Sequence, residues 1–100
     1  GSISVPVEVG EALTQAALQA IENSRTHSGA KKTYLHTQSS KGKVEIIVKD
    51  YGRGFRTSRV SRNRLGVRLS IVGRVEAVGG KARVNSQPGK GTEVILSWTA

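Results

Sequence analysis

The apolar positions Val9, Leu13, Ala16, Ala17, Ala20 and Ile21 recur at the three- and four-residue spacing of one helix face, in a segment rich in alanine. The pattern predicts an amphipathic helix over residues 8–26, with Gly29 as its terminator. Ahead of it, residues 3–7 alternate and fit either a short edge strand or an extended lead-in. The period then changes from 3.6 to 2. Residues 33–38 alternate, Ser39-Ser40-Lys41-Gly42 is turn chemistry, and residues 43–50 are the strongest strand pattern in the chain. These two segments should pair as a hairpin. Residues 56–64 carry four arginines and no usable periodicity, which reads as a mobile loop. Val67, Ile71, Val75 and Val78 mark a second amphipathic helix, stopped by Gly79-Gly80. Residues 81–86 and 92–98 form a last hairpin, with Val94, Leu96 and Trp98 on one face. The order helix, two strands, helix, two strands predicts an α+β fold. It is a two-layer α/β sandwich, with both helices on one face of a mixed, mostly antiparallel sheet.

Composition narrows the partners. One hundred residues make one domain, taken as residues 3–100, with Gly1-Ser2 read as a leftover of cloning. The absence of cysteine excludes disulfides and thiolate metal sites and fits the cytosol. No run approaches the roughly 18 apolar residues of a membrane span, so this domain is expected to make no membrane contact. The formal charge of +9 asks for an anionic partner. Nucleic acid is disfavoured, because the four aromatics, Tyr34, Tyr51, Phe55 and Trp98, are not interleaved with the basic residues as a stacking platform requires. A phosphorylated nucleotide is an anion as well, and charge alone does not separate the two.

The candidate chemistry lies where the strongest strand ends. Asp50-Tyr51-Gly52-Arg53-Gly54-Phe55 closes the run Val44-Glu45-Ile46-Ile47-Val48-Lys49. A carboxylate fixed at a strand end can accept a hydrogen bond from a ligand's amino group. Alternating glycines let the next backbone turn sharply and approach a flat ligand with no Cβ in the way. A plain β-turn would use the same residues. Upstream, Gln19, Asn23 and His27 are four apart and share one stripe of the first helix, bordering its apolar face. Downstream, Ser86-Gln87-Pro88-Gly89-Lys90-Gly91-Thr92 leads into the last strand.

An asparagine-bearing helix, a D-x-G-x-G-F turn and a P-G-x-G-T hairpin, in that order, resemble the ATP-binding catalytic domain of bacterial two-component sensor histidine kinases. That domain belongs to the superfamily shared with DNA gyrase, a heat-shock chaperone and a mismatch-repair ATPase. The resemblance runs from about residue 5 to residue 98 and implies a Bergerat-type fold of the short-lid kind. It implies that Asn23 helps hold Mg²⁺ on the triphosphate of ATP through its amide oxygen, a role for which one protein oxygen suffices. Arg25 and His27 match positions that face phosphate. Asp50 would accept from the adenine amino group, Gly52 and Gly54 would pass beneath the base, and Thr92 would contact the base directly or through water. Gly89 and Gly91 shape the turn, with a purely structural role equally open to them. Gly66, with Arg64 or Arg68, would receive phosphate at the second helix's N-terminus.

The resemblance further implies a histidine protein kinase whose acceptor histidine sits on a separate dimerisation and phosphotransfer domain, with a response regulator downstream. Neither His27 nor His36 would be the phosphoacceptor. The location implied is cytoplasmic, with a membrane anchor open for the full-length protein. Two departures stand out. Gln19 occupies the usual place of a general-base glutamate, and an amide cannot accept the proton. Only Gly66 remains of the glycines that usually cluster before the second helix. Two rivals keep the same fold: a degenerate regulatory module that binds nucleotide poorly, and a serine kinase acting as an anti-sigma factor.

Overall fold

The structure is a computed structural model, and it describes residues 4–27, 29–52 and 70–100. Helix α1 runs over Val7–His27, and strands β1 (Tyr34–Ser40), β2 (Lys43–Asp50), β3 (Lys81–Gln87) and β4 (Gly91–Thr99) build one sheet in the order β1-β2-β4-β3. Residues 70–76 form a second helix between β2 and β3. All three strand pairings are antiparallel, and no parallel pair occurs among the described residues. The α+β sandwich expected from the sequence is therefore present. Of the two readings of the N-terminal segment, the edge strand does not form: residues 4–6 carry no strand and Val7 already belongs to the helix. The Pro6 carbonyl accepts the Gly10 N–H at 3.0 Å, so the first helical bond forms here, at a residue that has no N–H of its own to leave unsatisfied.

Val9, Ala12, Leu13, Ala16 and Ala20 are the buried stripe of α1. Val9, Leu13, Ala16 and Ala20 pack with Ile71 and Val75 of the second helix on Val48, Val94 and Leu96 of the two central strands. The strand pairing puts Leu35, Val48, Val94 and Val84 in one row, and Thr37, Ile46, Leu96 and Ala82 in the next, all facing the helices. The opposite face carries Lys49, Glu93, Asn85, His36, Arg83, Glu45 and Lys81, with Ile47 and Ile95 half-buried among them.

Strand β1 starts and ends later than its alternation suggests. Its loop to β2 is only Lys41-Gly42, both at positive φ, a two-residue turn that lets pairing run to Ser40 opposite Lys43. Thr33, expected in the strand, instead hydrogen-bonds Ser24 of α1 through the two hydroxyls at 3.1 Å. The second helix stops where Gly79-Gly80 predicts. The Gly80 N–H bonds the Val75 carbonyl and the Gly79 N–H the Glu76 carbonyl, both at 3.0 Å, with Gly79 at φ 84°. That pair of bonds is a Schellman cap. Trp98 of β4 completes it by donating its indole N–H to the Val78 carbonyl at 3.1 Å, which ties the helix end to the sheet.

Candidate functional site

Asp50, Thr92 and Ser86 form the last row of the sheet on the helix-facing side, across β2, β4 and β3. Each lies two residues beyond a core position, Val48, Val94 and Val84 respectively, so alternation aims all three side chains toward the helix layer. Asp50 is 3% exposed. Its Oδ1 accepts the Gly52 N–H at 2.9 Å, an Asx-turn that starts the glycine segment and fixes the carboxylate. The turn role and the ligand role are compatible, because a carboxylate has acceptor capacity beyond one bond.

Gly91 explains how β4 comes so close. A Cβ placed there would lie 2.1 Å from the Asp50 carbonyl oxygen and 2.9 Å from Tyr51 Cα, and the residue sits at φ 84°. Only glycine admits this approach, so its structural part is demonstrable. The intervening turn has Pro88 at its second position, Gly89 at φ 77° at its third, and Lys90 N–H on the Gln87 carbonyl at 3.0 Å.

Tyr51 points away from this row. Its ring meets the edge of Tyr34 at 5.5 Å between centroids, and Lys49 Nζ lies 5.1 Å from its centre. Tyr34 and Lys49 share the outer face, where Lys49 also pairs loosely with Glu93 at 3.9 Å.

On α1, Asn23 and Gln19 are half-buried beside the core stripe. Asn23 Oδ1 is buried and has no hydrogen-bond partner among the described residues. A buried carbonyl-type oxygen left unpaired costs about 1–3 kcal/mol, so its retention asks for a ligand. The Gln19 amide oxygen receives the Ser70 hydroxyl at a long 3.5 Å, bridging the two helices. Arg25 is exposed and pairs with Glu22 one turn back, its Nε donating to Glu22 Oε2 at 3.1 Å and a second contact joining Nη2 to Oε1. The Arg25 guanidinium holds the Glu22 carboxyl below its usual range, and the carboxylate raises Arg25 in return. His27 closes the helix. Gly54, Gly66 and Arg68, like the loop over 56–64 and Val67, lie outside the described residues.

The structure thus brings Asp50, Gly52, Gly91 and Thr92 together at the sheet end and places Asn23 and Gln19 on the inner side of α1. Ser86 was not among the residues singled out from the sequence. Its signal was the length of the turn: a three-residue connection sets Ser86 directly opposite Thr92.

A strand-end acid in an Asx-turn beside a glycine-cleared strand, with an asparagine helix above it, has counterparts. The family model described as "Histidine kinase-, DNA gyrase B-, and HSP90-like ATPase" matches residues 8–100. The chain belongs to that family. Within it, the likeness is to the ATP-binding part of histidine kinases. The signal transduction histidine-protein kinase/phosphatase DegS of Brevibacillus brevis is 27% identical over 92 residues, which is 92% of this chain and 24% of that protein. An uncharacterized sensor-like histidine kinase of Chloroflexus aurantiacus is 28% identical over 95 residues, 89% of this chain and 16% of that one. The chain therefore spans a quarter or less of the curated relatives it matches. Among solved structures, the ATP binding domain of PrrB from Mycobacterium tuberculosis superposes with a TM-score of 0.70 at 25% identity, over 90% of this chain and 68% of that one. The histidine kinase domain of the blue-light activated kinase EL346 from Erythrobacter litoralis shares the fold, with a TM-score of 0.78 at 23% identity over 99% of this chain and 48% of that one.

Proposed function

We propose that this domain presents Mg-ATP for phosphoryl transfer to a histidine on a separate dimeric helical domain, on the cytoplasmic side, within a two-component system that ends on a response-regulator aspartate. The observation that carries the reading is the orphaned Asn23 Oδ1, a buried acceptor at the position the resemblance gives to the metal. Mg²⁺ keeps most of its waters and phosphate ligands, so a single amide oxygen is a sufficient protein contribution. The metal, when bound, neutralises charge on the triphosphate.

The chain's own groups do the rest by binding and orientation, which is most of what phosphoryl transfer asks of a protein. Asp50 accepts from the adenine amino group while its Oδ1 remains tied to Gly52. Gly91 keeps the β4 backbone low enough for the base to lie over it. Arg25 and His27 at the end of α1, and Gly54, Gly66 and Arg68 beyond the described residues, complete the phosphate side in this reading. Gln19 cannot activate water, so hydrolysis is suppressed, while the acceptor imidazole is already a nucleophile and needs no base from this domain. The histidine kinase descriptions of the relatives favour this over an anti-sigma serine kinase.

The test rejoins the domain to its own helical domain and compares wild type with Gln19→Glu in autophosphorylation by labelled ATP. The reading expects transfer in wild type and negligible hydrolysis by the isolated domain. Transfer that appears only in Gln19→Glu would mean that the natural chain is a regulatory pseudokinase.

A further inference from the structure

Ser86, Thr92 and Asp50 share one row, and the contacts of Ser86 assign the two hydroxyl protons of Ser86 and Thr92. Ser86 Oγ contacts the Gly91 carbonyl oxygen at 3.0 Å and Thr92 Oγ1 at 2.8 Å. A serine hydroxyl has one proton and a carbonyl oxygen can only accept, so that proton goes to Gly91. The contact with Thr92 then runs the other way: Thr92 donates its proton to Ser86 Oγ. With that proton directed sideways along the row, Thr92 Oγ1 offers only lone pairs to the space in front of the sheet. Its other neighbour in the row is the Asp50 carboxylate, whose oxygens serve as acceptors.

We propose that Ser86 is a specificity-determining residue: by taking the Thr92 proton it leaves the Thr92 and Asp50 side chains of this row acting as acceptors toward a nucleobase. Such an edge accepts a purine bearing an exocyclic amino group, directly or through a water that donates to Thr92, and repels one bearing an exocyclic oxygen. Without Ser86 the Thr92 hydroxyl is free to turn and donate, and the discrimination falls to Asp50 alone. The register supports the assignment. Ser86 lies opposite Thr92, and the close approach of Gly91 to the Asp50 carbonyl fixes the carbonyl that consumes the Ser86 proton. Ser86 acts through Thr92 and is a positioning residue. The proposal rests on the reading of the Asp50 end as the nucleobase site.

The test measures the dissociation constants of ADP and IDP, which differ at the exocyclic position and N1, for wild type, Ser86→Ala, Ser86→Thr, Thr92→Val and the Ser86→Ala/Thr92→Val double variant. The expected result is a wild-type preference for ADP that shrinks about tenfold in Ser86→Ala, the upper range of one hydrogen bond, mainly through tighter IDP binding. Ser86→Thr keeps the hydroxyl and restores the preference, and adding Ser86→Ala to Thr92→Val changes the ratio no further. Should Ser86→Ala not fold, Ser86→Cys keeps the volume with a weaker acceptor and should move the ratio the same way. A Ser86→Ala variant that weakens both nucleotides equally, or leaves the ratio unchanged, overturns this inference alone. A wild type indifferent between ADP and IDP overturns the nucleobase reading and this inference with it.

Discussion

Replacing Gly91 by alanine should damage the domain far more than the same change at Gly89, although both glycines have nearly the same backbone angle. Gly89 sits at φ 77° and a Cβ there would meet nothing within 4 Å. Gly89→Ala therefore carries only the left-handed penalty, about 1–2 kcal/mol. Gly91 at φ 84° carries the same penalty, and its Cβ would also stand 2.1 Å from the Asp50 carbonyl oxygen, where contacts under 3.0 Å essentially never occur. The atoms in the way are backbone, so no side chain can swing aside. Relief of nearly 1 Å must come from separating β4 from the end of β2, which breaks the Asp50–Thr92 pairing and buried polar contacts worth about 1–3 kcal/mol more. The gain from restricting the unfolded chain is common to both variants and cancels. The expected losses are about 1–2 kcal/mol for Gly89→Ala and about 2–5 kcal/mol for Gly91→Ala, the latter a large share of a typical domain's stability. In thermal unfolding, at about 4–8 °C per kcal/mol for a domain of this size, the Gly91→Ala midpoint should lie about 4–24 °C below that of Gly89→Ala. Nucleotide affinity should follow the same order, since only the Gly91 change moves Asp50. Equal midpoints for the two variants would refute the claim that the β2–β4 approach at Gly91 builds the site.

Asp50→Asn keeps an oxygen for the Gly52 N–H but loses a charged acceptor; it should fold normally and bind ADP about ten- to a hundred-fold more weakly by titration calorimetry, and undiminished affinity would exclude Asp50 from the site. Asn23→Leu removes the orphaned oxygen and adds a better helix former, so the nucleotide-free domain should gain about 1 kcal/mol in urea unfolding while the Mg²⁺ dependence of ATP binding disappears; a destabilised variant would mean that the oxygen is already satisfied. For the exposed Glu22–Arg25 pair, the lowered Glu22 carboxyl contributes stability above the ordinary carboxylate pKa and loses it as pH falls through the lowered value. Solvent screening keeps that contribution small, so Glu22→Gln should leave the thermal midpoint at pH 7 unchanged within error, and a clear drop would show the pair to be structural.

Much of this fold is legible in the residues because the local signals agree with one another. The valines and isoleucines of β2 alternate, the alanine-rich stripe of α1 keeps helical spacing, and Gly79-Gly80 stops the second helix with the cap its composition suggests. What escaped was set by tertiary contact or by register. Nothing local distinguishes Thr33 from a strand residue; its hydroxyl is diverted by Ser24, nine positions away. Val7, read with the edge strand or extended lead-in, joins the helix because Pro6 supplies the first carbonyl. Asp50, Gly52, Asn23 and Thr92 could be singled out as candidates because their order and spacing resemble a known arrangement. Ser86 could not, since its importance lies in a proton count across three strands that exists only once pairing is known. The steric need for Gly91 is likewise invisible without the Asp50 carbonyl opposite it.

The central claim is that the end of the sheet at Asp50 and the inner side of α1 at Asn23 bind one Mg-nucleotide. It is tested most directly by titrating the ¹⁵N-labelled domain with a non-hydrolysable ATP analogue and Mg²⁺, following backbone and side-chain amide shifts. The account predicts saturable shifts at Gly52, Gly91 and Thr92, and at the Asn23 side-chain amide only when Mg²⁺ is present. Outer-face residues such as Lys81, Arg83 and Ile95 should stay unmoved. Shifts confined to that outer face, or none at any concentration, would contradict it.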